Sequence, residues 1–403
     1  MPSTTSGNRL LTWLCLGVAV LEGFELQMAG VAASHIAADL GLDIETLGLF
    51  FSSSTFGLLI GALLGGWLAD RFGRIEVLSG SVIAFGLASV LTALATDATM
   101  LICVRALTGA GLGGALPNLL ALTSETAQQG REKRAVAYLY SGVPLGGIAV
   151  SLIGAALGSR WQLLFVAGGI PPLLVGALIW FERGPRTMIT AGDTSTSPVD
   201  ALFGGGRAFA TILLWTAFCT TLVILYLVLN WLPTVLRGMS FTPLQALAAQ
   251  VAFNLGGFFA CLASAPLLDG KRILPVAIVS FVSIPLVLLG LSHSTSLGLT
   301  FFIALLLGGS VLTTQSLLYA IAPTVYPAGM RGVGTGGAVA WGRIGSIAGP
   351  LYGGLLISSE GSMRDAVTGT VPVAIAAGAA AVLLVIRLRA VGTVEDATEA
   401  RPH

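Results

Sequence analysis

Long apolar runs separated by short polar breaks fill almost the whole chain, near residues 10–33, 46–69, 75–95, 99–122, 136–158, 161–182, 208–231, 244–268, 273–292, 297–322, 332–358 and 366–388. Each is close to the ~20 residues that a helix needs to cross the hydrocarbon of a bilayer. Within each run the apolar positions are continuous rather than alternating, which predicts helices and argues against a porin-type barrel. The pattern predicts an all-α membrane protein with twelve transmembrane helices. The first run, beginning near Leu10, is longer than a signal-peptide core and is followed by no convincing cleavage site, so it reads as a retained helix.

Charge placement tests that count. With the N-terminus in the cytoplasm, fifteen of the twenty Lys and Arg residues fall in inside segments, among them Arg71, Arg74, Arg131 and Arg331. Three (Arg160, Arg237, Arg364) fall outside, and two (Arg105, Arg343) lie within spans. A wrong count would scramble this positive-inside alternation, so both termini are expected in the cytoplasm. His35 and His293 are then expected in outside loops.

Composition agrees. Hydrophobic residues make up 55% and charged residues 10%, with a mean hydropathy of +0.90. A soluble domain carries about 25% charged residues. The net charge of +1 argues against a nucleic-acid partner. Cys15, Cys103, Cys219 and Cys261 sit apart in apolar stretches and read as small hydrophobes. No Gly-x-x-x-x-Gly-Lys-Ser/Thr loop and no Cys/His metal cluster is present, so neither an enzyme nor a cofactor is expected, and the energy source is an ion gradient.

The chain also reads as duplicated. Asp70 and Asp269 follow the second helix of each half, Arg131 and Arg331 precede the fifth, and Gly142 and Gly342 open it, all at offsets close to 200. This predicts a six-helix half over 1–183, a cytoplasmic linker over 184–206, a second half over 207–390 and a flexible tail over 391–403. Parallel halves of this kind are a transporter plan, with the substrate at the midplane between them.

Four features carry candidate chemistry. Gly65-Gly66-Trp67-Leu68-Ala69-Asp70-Arg71-Phe72-Gly73-Arg74 lies between helices two and three, with a degenerate copy around Asp269. Its glycines allow close approach, and Asp70, Arg71, Arg74, Arg131 and Asp269 are candidates for a gating charge network. Helix four carries Arg105, about 9 Å below the outer edge, which either snorkels or meets a cavity or partner. Helix one carries Glu22 and Glu25 on one face, about 18–22 Å from the inner edge. A carboxyl there is either a proton carrier or a permanently protonated structural group. Arg343 lies about 17 Å into helix eleven, too deep to snorkel easily. It either holds a substrate carboxylate bidentately or pairs with Glu22 or Glu25. Asn118, Asn230, Gln315 and Tyr319 are candidates to line a cavity, and Trp231 to stack on an aromatic ring; each reads equally as interhelical packing.

The Asp70 loop and the Arg-Gly run of helix four resemble the signature motifs of the major facilitator superfamily, although Ile75 and Glu76 replace the usual basic continuation. Within it, Glu22-Gly23-Phe24-Glu25 resembles the Asp-Gly-x-Asp of the aromatic acid:proton symporter family, with each Asp lengthened to Glu. Leu116-Pro117-Asn118, Asn230-Trp231-Leu232-Pro233 and Gly342-Arg343-Ile344-Gly345 extend the resemblance over most of the chain. It implies a bacterial inner-membrane, monomeric symporter importing an aromatic carboxylate such as 3-(3-hydroxyphenyl)propionate with protons. Glu22, Glu25 and Arg105 would then couple protons and Arg343 would bind substrate. The alternatives are a proton-driven exporter and a non-transporting membrane sensor.

Overall fold

The computed structural model describes residues 4–126, 135, 138–181, 198–264, 266, 273–327, 330–359 and 362–399. Among them are twelve long helices: α1 (Thr4–Leu40), α2 (Ile44–Phe72), α3 (Arg74–Thr92), α4 (Ala98–Thr126), α5 (Gly142–Leu157), α6 (Trp161–Phe181), α7 (Ala208–Gly238), α8 (Pro243–Ser264), α9 (Ile273–Ser292), α10 (Leu297–Ile321), α11 (Arg331–Ser359) and α12 (Val371–Glu399). Short helices Pro198–Phe203 and Met363–Gly369 precede α7 and α12. Eleven helices are long and apolar enough to cross a membrane. The twelfth, α11, has the length, but it is rich in glycine and carries Arg343 in mid-helix, so its composition is less apolar.

Two ends differ from the sequence expectation. Helix α1 runs to Leu40, so His35 lies on the helix and not in a loop. Nothing in Ser34–Leu40 breaks a helix; the chain turns at Gly41, whose φ of +64° suits a residue without Cβ. Asp43 then caps α2, accepting from the Thr46 amide at 2.7 Å. That bond holds the Asp43 carboxyl below its ordinary range. Helix α12 continues to Glu399, into the stretch from Val391 where a flexible tail was expected. The α7–α8 turn closes with a capping box, Thr242 and Gln245 each accepting from the other's backbone amide.

The duplication is visible in packing. On α2, Gly57 lies against the Ala106 carbonyl of α4, and on α4, Gly109 lies against the Ser54 carbonyl; a Cβ at either glycine would overlap that oxygen. In the second half, Gly256 meets Leu305 and Gly308 meets Phe253, each position 199 residues later. The α1–α5 contact of Gly146 with Val20 recurs as Gly345 with Cys219 at the same displacement. Without a hydrophobic drive between helices in lipid, such close backbone contact is the main attraction available.

The halves meet through α1 with α7, α2 with α11 and α5 with α8. Several contacts between them lie toward the end remote from the termini. Gly30 packs on Asn230, the Ser52 hydroxyl donates to the Ile347 carbonyl at 2.9 Å, and Trp231 donates from Nε1 to the Pro350 carbonyl at 2.9 Å. Arg131 and Asp269, expected to take part in gating, lie outside the described residues.

Candidate functional site

The polar centre of the bundle is built on α1. Glu22 and Glu25, expected to share a face, have different cations for neighbours. Glu25 turns into the first half. Arg105 of α4 donates from Nη1 to its Oε2 at 3.2 Å and from Nη2 to its backbone carbonyl at 3.4 Å. Both side chains are sealed, at 1% and 0% exposure. The Arg105 guanidinium carbon lies 5.8 Å from each of the Phe50 and Phe165 ring centres. The snorkelling alternative for Arg105 is thereby excluded: the side chain is pinned between two rings and an acid.

Glu22, buried on the same helix, lies within electrostatic reach of Arg343 of α11 in the other half. The two do not close to a direct ion pair. The Arg343 Nη1 instead donates to the Tyr226 hydroxyl of α7 at 3.0 Å. Two further phenols complete the surroundings. Tyr140, just before α5, stacks on Tyr319 of α10 with ring centres 5.6 Å apart and planes at 30°. Tyr140 and Tyr226 both lie in the electrostatic field of Glu22 and Arg343. The Tyr140–Tyr319 stack joins the two halves near the end that carries the termini.

Between this centre and the remote end lies an amide cluster. Gln27 Oε1 accepts from Gln250 Nε2 at 2.7 Å and Asn254 Nδ2 at 2.8 Å, while Gln27 Nε2 donates to Asn254 Oδ1 at 2.9 Å. All three residues are buried, and the cluster ties α1 to α8.

The structure thus gathers Glu22, Arg343 and Tyr319 and leaves other candidates elsewhere. Asn118 donates to the carbonyls of Gly114 and Gly65, joining α4 to α2. Asn230 donates to the Tyr226 carbonyl one turn back. Trp231 is fully buried, its edge on Phe51 at 5.0 Å. Gln315 is half-buried one turn from Tyr319. Asp70 and Arg71 are exposed, Arg71 lying 5.9 Å from the Trp67 ring centre, and Arg74 is partly buried. Sequence reasoning missed Tyr140, Tyr226 and the amide cluster. Tyr226 had one available signal, as a lone phenol inside the aliphatic run Leu222–Leu229.

Comparison with known proteins agrees with this architecture. The model of the Major Facilitator Superfamily matches residues 15–350. The chain belongs to that superfamily. As a Major Facilitator Superfamily protein it is a membrane transporter and not an enzyme. It is 38% identical to the 3-(3-hydroxyphenyl)propionate transporter of Escherichia coli K12, over 98% of this chain and 99% of that one. It is 29% identical to the 4-hydroxybenzoate transporter of Pseudomonas putida, over 90% and 89% of the two chains. Among solved structures, the D-xylose-proton symporter superposes with a TM-score of 0.76 at 16% identity, covering 94% of this chain and 96% of that one. That likeness shows the shared superfamily fold.

Proposed function

We propose that this chain is a proton-coupled symporter of the bacterial inner membrane that imports an aromatic carboxylate, 3-(3-hydroxyphenyl)propionate or a related phenolic acid, by alternating access. The observation that carries the reading is the unclosed approach of Glu22 to Arg343 at the junction of the two halves. A guanidinium that donates to a neutral phenol, and to no carboxylate among the described residues, can hold a substrate carboxylate, bidentately where geometry allows. When it does, the new anion beside Glu22 favours Glu22 taking a proton, so binding of acid and proton are linked. Arg343 is then the substrate-binding residue and Glu22 the proton carrier. Glu25, sealed by Arg105, holds α1 to α4 and keeps Glu22 aimed across the interface.

The chain acts as a monomer in this scheme, with both termini in the cytoplasm as the positive charges require. Contact between the halves at the end remote from the termini then closes the outer side. The relatives support this reading, being named as transporters of hydroxyphenylpropionate, hydroxybenzoate, benzoate and gallate. Neither the exporter nor the sensor alternative finds support in them.

Uptake of radiolabelled 3-(3-hydroxyphenyl)propionate by cells expressing the chain tests it. Uptake that collapses with an uncoupler and with Arg343→Ala supports the reading. No uptake above empty cells, with the protein present in the membrane, removes this substrate.

A further inference from the structure

The Tyr140 hydroxyl is buried and among the described residues makes no hydrogen bond of acceptable geometry. The Tyr319 phenol approaches it without satisfying it. Burying a hydroxyl without a partner costs stability, and packing does not require the group. The Tyr140 ring is held by its stack on Tyr319, whose own ring meets Phe218 edge-on at 5.3 Å and 87°. A phenylalanine would fill the same space. The hydroxyl nevertheless lies within electrostatic reach of Glu22 and of Arg343, a guanidinium that has committed Nη1 to the Tyr226 hydroxyl.

A phenol can donate one hydrogen bond and accept others. Arg343 offers only donors, and a protonated Glu22 offers one more. No acceptor among the described residues meets the Tyr140 hydroxyl in hydrogen-bonding geometry, and a carboxylate held by Arg343 brings two oxygens. We infer that Tyr140 is a substrate-binding residue whose hydroxyl donates to the carboxylate that Arg343 holds. The inference rests on the proposed reading of an aromatic-carboxylate symporter. It makes the site one shared by both halves, Tyr140 from the first and Arg343 from the second. The Tyr140–Tyr319 stack beside it offers an aromatic wall for the substrate ring.

The test uses the purified full chain in detergent. Wild type and Tyr140→Phe are titrated with 3-(3-hydroxyphenyl)propionate and with its neutral amide, and thermal unfolding is followed without ligand. The variant is expected to unfold at the same or a higher temperature, since it loses an unsatisfied hydroxyl. Its Kd for the acid rises roughly ten- to hundredfold, as expected for loss of a hydrogen bond to a charged group, and its preference for acid over amide falls. An unchanged Kd for the acid overturns the assignment, as does a lower unfolding temperature with unchanged acid preference, which marks a structural hydroxyl or one satisfied by water. If wild type itself binds neither compound, the substrate reading fails and takes this inference with it; that failure shows in the wild-type titration alone.

Discussion

Arg105 donates to the Glu25 carboxylate at 3.2 Å from a position 80 residues along the chain, with neither side chain open to solvent. A buried pair of this kind is expensive to break, because removing one partner leaves an uncompensated charge. Glu25→Ala and Arg105→Ala are each expected to destabilise the fold by about 3–5 kcal/mol, and the double variant by less than their sum. A double-mutant cycle on thermal or denaturant unfolding measures the coupling. Additive losses would show that the pair does not act as a unit.

Glu22, lacking a direct ion pair, gives the opposite expectation. Glu22→Gln keeps the shape and removes the titration, so folding and abundance should stay near wild type. Uptake should lose its response to an uncoupler, while exchange of labelled for unlabelled substrate persists. Symport of one proton with one monoanion moves no net charge; a second proton would add ~2.3 kcal/mol per 100 mV. Uncoupler-sensitive accumulation that survives in Glu22→Gln would move the proton site to another group.

The amide cluster gives a third expectation, about conformation. Gln27 makes three hydrogen bonds to α8, each with a net worth of about 1 kcal/mol. They link the halves in the state closed at the end remote from the termini and are lost when that end opens. Gln27→Ala should therefore shift the equilibrium by about 3 kcal/mol, roughly 100-fold or somewhat more, toward opening there. A Ser52→Cys reporter, placed where the hydroxyl meets the Ile347 carbonyl in an otherwise cysteine-free chain, should react faster with an impermeant thiol reagent. Equal labelling with and without Gln27 would mean that these bonds do not hold that end.

The spans, their duplication and the burial of Glu22, Glu25, Arg105 and Arg343 were legible in the sequence. A crossing helix is a local property: about twenty apolar residues and a bilayer suffice to specify it. The 199-residue displacement that joins Gly57–Ala106 to Gly256–Leu305 was likewise readable, as an offset near 200. Which cation each acid meets was not. Glu22 and Glu25 stand only three residues apart, yet one lies within electrostatic reach of Arg343 and the other pairs with Arg105. That division depends on the rotation of α1 and the order of its neighbours, which close packing of helices distant in sequence decides. Tyr140 and Tyr319 show the same limit: each is an ordinary aromatic in its own segment, and only assembly of the two halves stacks them together. The sequence by itself determined what must be buried in the membrane. The tertiary structure decided which buried polar groups satisfy one another and which, like the Tyr140 hydroxyl, have no partner among the described residues, because pairing is a property of two surfaces and neither surface is written in one segment.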